Sequence, residues 1–133
     1  IERFNEENMG RVKISFRDGD YCPGAFFDAT QGLGNEPEGG ARCSVCFQQR
    51  LEKTAETASI LGADYFGTTL TVSPHKNYKL ISEIGRNLAA RYGLSFLDRD
   101  FKKKDGFVRS IQLSKKYDLY RQNYCGCEYS KRD

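Results

Sequence analysis

No apolar run in this 133-residue chain approaches the roughly 18 residues that a membrane-spanning helix needs, so no membrane association is expected. The opening, "IERFNEEN", is charged, so no secretory leader is expected either, and it starts at Ile1 where an initiator methionine would stand. No internal repeat, low-complexity tract or interdomain linker interrupts the chain, which predicts one domain over residues 1–133. Neither sign of charge dominates. Twenty-one Lys and Arg against 18 Asp and Glu leave a net +3, which permits a nucleic-acid partner without requiring one. Histidine occurs once, at His75. Five cysteines, an odd number without a leader, argue against a secreted disulfide scaffold. In a reducing cytosol, clustered cysteines bind metal or do redox work. Cys22 stands alone and reads as a packed, inert thiol.

What is present has a clear order. Residues 1–8 read as the polar end of a helix. "RVKISF" (11–16) alternates charge with Val, Ile and Phe, which predicts a strand. Residues 23–33 predict a short helix and "GNEPEGGAR" (34–42) a Gly/Pro loop. From 43 to 61, Phe47, Leu51, Ala55, Ala58 and Leu61 recur at spacings of three and four, the mark of an amphipathic helix, and Gly62 supplies its stop. "ADYFGTTLTV" (63–72) is aromatic and β-branched and predicts a buried strand. "SPHKN" (73–77) breaks it. A second helix is expected over 78–92, with Leu80, Ile81, Ile84, Leu88 and Tyr92 on one face and Gly93 as its stop. Residues 94–97 predict a short strand and 105–117 a further helix. Strand, helix, strand, helix, strand predicts an α/β domain with a mostly parallel sheet. Such sheets bind ligands beyond the carboxyl ends of their strands, and "TTLTVSPHKN" is a loop of that kind.

Two cysteine pairs stand out. In "RCSVCF", Cys43 and Cys46 sit three apart at the expected start of a helix, so both sulfurs share a face. The positive helix end favours thiolate, the form that binds metal or attacks disulfides. In "YCGC", Cys125 and Cys127 are one glycine apart. A disulfide across that spacing is strained and easily reduced, which suits a metal clamp or a labile redox couple better than a staple. Four thiolates suit tetrahedral zinc or an iron–sulfur cluster. His75 and Lys76 follow the expected strand in the ligand-binding loop. Ser73 and the neighbouring hydroxyls can orient a polar substrate, and Ser73 can also cap the next helix with Pro74 at its first position. Lys102, Lys103 and Lys104, beside Arg99 and Arg109, read as a solvated loop or as contacts to a phosphate backbone. Arg121 and several tyrosines surround the terminal cysteines, a mixture that stacks on unpaired bases or simply packs a tail.

Four ordered blocks, "EPEGGARCSVCFQQRLEKTA", "TTLTVSPHKN", "DFKKKDG" and "LYRQNYCGCEYS", closely resemble the QueH-type epoxyqueuosine reductases, from about Asp20 to Ser130. The resemblance implies a bacterial, cytoplasmic tRNA-modifying enzyme with a Rossmann-like three-layer α/β fold and a mostly parallel sheet. Its substrate would be tRNA carrying epoxyqueuosine in the anticodon, and its electrons would come from an unidentified donor. It implies a [4Fe-4S] cluster with Cys43 and Cys46 among its ligands. It assigns Cys125 and Cys127 to a redox-active disulfide pair or to an additional iron ion. Family members begin with a strand and a Cys-Cys motif that supplies the remaining ligands. This chain has no such segment, which reads as an N-terminally truncated domain with its first strand missing. Deoxygenating the epoxide takes two electrons and two protons and releases water. His75 is the candidate proton donor by location, with Asp98, Asp100 and Tyr120 as competitors. Ser73, Lys76, Lys102 and Arg121 are the candidate substrate contacts. A zinc-stabilised, non-catalytic RNA-binding module would use the same cysteines and basic loops, and a metal-free dithiol oxidoreductase is a third reading.

Overall fold

The computed structural model describes residues 1–131. Its elements follow in the order α1 (Glu2–Glu7), α2 (Pro23–Ala29), α3 (Ala41–Ile60), β1 (Tyr65–Phe66), α4 (Tyr78–Tyr92), β2 (Ser95–Phe96) and α5 (Gly106–Lys116), with short 3-10 turns at Leu70–Val72 and Glu128–Ser130. The fold is α/β, and β1 and β2 run parallel in register, Tyr65 opposite Ser95 and Phe66 opposite Phe96. Ser95 N–H donates to Asp64 O at 3.0 Å and Leu97 N–H to Phe66 O at 2.8 Å, one ladder step on each side of the pair.

The helical periodicity is realised as packing. Phe47, Leu51, Ala55 and Ala58 of α3 meet Ile81, Ile84, Leu88 and Ala89 of α4, with Phe66 of β1 in the same cluster. Leu51, Ile81 and Leu88 are essentially sealed from solvent, and each such side chain contributes about 1.5–3 kcal/mol over its exposed state. Gly85 lets α4 lie close to β2, since a Cβ there would come within 2.5 Å of the Phe96 ring. Both stops act as expected. Gly62 (φ 69°) and Gly93 (φ 66°) take the left-handed conformation, and the following N–H groups of Ala63 and Leu94 return to Ala58 O and Ala89 O at 2.9 Å. The opposite face of the sheet is open, with Tyr65 65% exposed.

Several expectations are corrected. Residues 11–16 form no strand. Val12, Ile14 and Phe16 are exposed, and a strand without a neighbouring backbone has nothing to bond to. The Asn5 side chain stands in for that neighbour: its Oδ1 accepts Ile14 N–H at 2.8 Å and its Nδ2 donates to Ile14 O at 2.6 Å. The strand expected over 63–72 is two residues long. Beyond it the buried Thr71 hydroxyl donates to Arg99 O at 2.9 Å and accepts Phe101 N–H at 3.1 Å, side-chain bonds that draw the backbone into a turn instead of a ladder. Ser73 does not cap α4. It accepts His75 N–H at 3.3 Å, while Asn77 is the cap, its Oδ1 accepting Leu80 N–H at 3.3 Å, so Pro74 lies ahead of the helix. Cys22 is exposed at the entrance to α2, in a stretch, residues 17–22, that is exposed throughout and meets α3 through an ion pair between Asp20 and Lys53 at 3.6 Å.

Candidate active site

The sequence singled out residues from four separate stretches, and tertiary packing gathers most of them, from three of those stretches, at one cleft of about 570 Å³. Cys46 of α3, Ser73, His75 and Lys76 of the loop before α4, and Arg121 and Cys125 of the C-terminal segment all line it. The 3-10 turn at Leu70–Val72 and the loop after it stand where the strand ends, so the cleft lies where an α/β sheet places its ligands. A second, shallower hollow of about 450 Å³, lined by Gly67, Thr69, Leu97 and Phe101, sits directly beyond the paired strands and holds none of the predicted site residues.

Cys43 and Cys46 lie in the first turns of α3, which Gly40 opens. Cys43 packs against the core, and its sulfur accepts Gly39 N–H at 3.2 Å. Cys46 does not follow the thiolate expectation. Burial pushes its thiol up, Arg50 one helical turn on pulls against that, and the Cys125 and Cys127 sulfurs add to the rise. The two pairs are therefore within electrostatic reach of each other. Cys125 behaves differently. Burial pushes its thiol up, but the Ser130 hydroxyl, a backbone bond from Cys127 and the Lys76 ammonium outweigh it and bring it below the ordinary thiol range. Cys125 Sγ–H donates to Ser130 Oγ at 3.1 Å, and that hydroxyl donates to Cys127 O at 2.7 Å. All five cysteines are free thiols; Cys43 and Cys127 are half-buried and do not line the cleft. Among the described residues no three His, Cys, Asp or Glu side chains come together as a metal centre. What the chain offers a cluster is two thiols spaced for adjacent ligands on one helix face, half of a four-thiolate set.

Lys76 is nearly buried for a lysine, its side chain 9% exposed. Its ammonium meets Glu38 Oε1 at 3.4 Å and lies 5.9 Å from the Phe47 ring centroid, so the Gly-rich loop and the loop before α4 are tied together across the cleft. Arg121 donates to Ser110 O and to the buried Ser114 Oγ, each at 3.3 Å, which fastens the terminal segment to α5. Lys102 stands apart from the cleft. Its ammonium donates to Thr71 O at 3.1 Å and Lys76 O at 3.2 Å and pairs with Asp100 at 3.3 Å. It therefore holds the loop that carries His75 and Lys76.

The competitors for the proton-donor role are occupied or remote. Asp98 accepts from Tyr78 Oη at 2.7 Å and Ser82 Oγ at 2.8 Å, and those two hydroxyls hold its carboxyl below the usual carboxylate range. Asp100 pairs with Lys102, and Tyr120 is 88% exposed. His75 alone of the four lines the cleft. Glu38, Arg50 and Phe107 also line it and carried no sequence signal as site residues, although the i, i+4 spacing of Cys46 and Arg50 could have found Arg50.

Comparison with known proteins follows the same blocks. A family model described as "Epoxyqueuosine reductase QueH" matches residues 2–133. Proteins of that name resemble the chain at 44% identity in Streptococcus pyogenes serotype M1, over 99% of this chain and 51% of the relative. In Staphylococcus epidermidis the figures are 41%, 98% and 55%, and in Haemophilus influenzae 39%, 96% and 54%. The chain spans about half the length of the curated relatives it matches.

Proposed function

The chain belongs to the epoxyqueuosine reductase QueH family, and on that footing we propose that it reduces epoxyqueuosine to queuosine at the wobble position of tRNA, the final step of queuosine synthesis in the bacterial cytoplasm. The observation that supports this most is the single cleft lined by one cysteine of each pair together with His75, Lys76 and Arg121. Among the described residues no helix is long and apolar enough to cross a membrane. In this reading β1 and β2 are part of a larger parallel sheet in one Rossmann-like three-layer domain, for which the open Tyr65 face leaves room.

Cys43 and Cys46 would supply two thiolates to a [4Fe-4S] cluster, which would deliver low-potential electrons from an external donor. Cys125, on the cleft, and its neighbour Cys127 would act as a redox pair or as ligands of an additional iron ion. A dithiol that closes to a disulfide releases two electrons and two protons, the number that turning an epoxide into an alkene and water consumes. The strained C-x-C ring is then easily reopened by the donor. His75 hands a proton to the departing oxygen. Ser73 and Lys76 orient the modified base, and Arg121 contacts the anticodon loop, where bases are already unpaired. Lys102 serves the substrate through the loop it braces.

The test is anaerobic purification of the whole protein, with iron and sulfide analysis and mass spectrometry of the treated tRNA. Cys43→Ser and Cys46→Ser each lose visible absorbance and turnover, and full absorbance in either removes the assignment. Cys125→Ser loses turnover; intact iron then means a relay, and reduced iron a ligand pair. A colourless wild-type protein holding zinc would instead support an RNA-binding module.

A further inference from the structure

Arg42 is a charged residue in the first turn of α3, yet it is only 4% exposed. Its Nη1 donates to Leu33 O, Gly34 O and Glu36 O at 3.0, 3.0 and 2.7 Å, three carbonyls of the Gly/Pro loop. Its Nε is buried and finds no partner among the described residues. The free face of the guanidinium meets the Tyr129 ring at 4.8 Å from its centroid. The same ring lies on Gly34, where a Cβ would approach it to 3.3 Å. Tyr129 belongs to the 3-10 turn that follows the C-x-C pair, and its neighbour Ser130 bonds Cys125 Sγ and Cys127 O.

We propose that Arg42 is a positioning residue, a clasp that seats the Cys125–Cys127 pair opposite the Cys43–Cys46 helix by gripping Tyr129. The connection is short and continuous. Arg42 adjoins Cys43 in sequence, its side chain holds Tyr129, and Ser130 holds Cys125. Guanidinium chemistry is needed for it, because a planar cation can collect carbonyls along its edge while an aromatic ring covers its face. An ammonium has no planar edge and face to divide between a row of carbonyls and a ring. Glycine at position 34 gives the ring room, since a Cβ there would press on it and require a shift of a few tenths of an ångström. The clasp has value for catalysis only if the two pairs act as a unit, and to that extent it rests on the function proposed above.

The test uses the whole protein and two readouts that do not involve turnover: hydrogen–deuterium exchange over residues 121–130, and maleimide alkylation of Cys125 mapped by mass spectrometry. Tyr129→Leu keeps the carbonyl contacts of Arg42 but removes the ring. It should raise tail exchange and Cys125 alkylation about tenfold, the size of a partly desolvated cation–π contact, while α3 and α4 stay protected. Tyr129→Phe should match wild type. Arg42→Lys should resemble Tyr129→Leu, and the double variant should be no worse than either single one. Wild-type exchange in Tyr129→Leu, or additive losses in the double variant, overturn the clasp. Should Arg42→Lys not fold, the Leu and Phe variants decide alone. If the clasp behaves as expected but the wild-type protein carries no iron, the proposed function falls and the clasp stands.

Discussion

The two cysteine pairs are held by opposite means. Cys43 and Cys46 open a 20-residue helix whose later turns are the core itself, through Phe47, Leu51 and Ala55. Their positions are settled by many dispersed apolar contacts. Cys125 and Cys127 lie in irregular backbone, with no regular element between α5 and the turn at Glu128–Ser130. A handful of polar and cation–π contacts, from Ser130, Arg42 and Arg121, place them. The first arrangement is stiff because the core cannot yield without loss of packing. The second can rearrange locally, which would suit the redox role proposed for it.

That contrast can be broken or sharpened in order of expected effect. Leu51→Ala removes a fully buried side chain one turn beyond Cys46 and should cost about 2–5 kcal/mol in urea unfolding. An unmoved midpoint would show that the core does not hold the first pair. Lys102→Met leaves two backbone carbonyls unpaired in the loop that carries His75, and should cost about 1–3 kcal/mol while leaving α3 intact by hydrogen exchange. Ser130→Ala should cost less than about 1 kcal/mol in stability. It takes away the hydroxyl that turns to donate to the Cys125 sulfur once its proton leaves, so the pH profile of Cys125 alkylation moves to higher pH while that of Cys46 is unchanged. An equal move at both thiols would erase the distinction between the pairs.

The smallest effect is expected furthest from the cleft, at the contact that joins α1 to α5 ahead of the terminal segment. Hydrogen bonds from Lys116 Nζ and Tyr117 Oη, each 2.7 Å from Glu7 Oε2, lower the Glu7 carboxyl from 4.5 to about 2. A lowered acid stabilises the fold above its ordinary value and loses that contribution as pH falls from there through the folded one. The stabilisation is therefore complete above about pH 4.5 and is lost by about pH 2, and NMR titration of the Glu7 carboxyl in the folded protein should place its midpoint near the lower value. A midpoint near 4.5 would mean that the contact does not hold the carboxylate in solution. Glu7→Gln should leave both cysteine pairs unaffected in alkylation.

The legible parts of this molecule are those where one residue type repeats at one spacing. The helix over 78–92 was readable to the residue, since its apolar stripe ends at a glycine that takes the left-handed conformation. The C-x-x-C at a helix start was readable for the same reason. Residues 11–16 alternate yet form no strand, because alternation describes a strand's faces and says nothing of whether a neighbouring backbone exists to pair with it. The strand at 63–72 was shortened by Thr71, whose hydroxyl took backbone partners 28 and 30 residues away.

By itself the sequence determined which side chains are the candidates for the chemistry: two thiol pairs, one imidazole and the lysines and arginines near them. It also determined the two long helices, because periodicity and caps are local properties. Only the tertiary structure decided which of those side chains meet. It set Cys46 and Cys125 on one cleft, turned Lys102 inward as a brace, and raised the Cys46 thiol where the helix end alone would have lowered it. It gave Arg42, an ordinary charged residue in the sequence, three carbonyls and an aromatic ring to hold. The physical reason is the same in each case: burial, and the partners found in it, depend on segments far apart in the chain, and no local pattern records them.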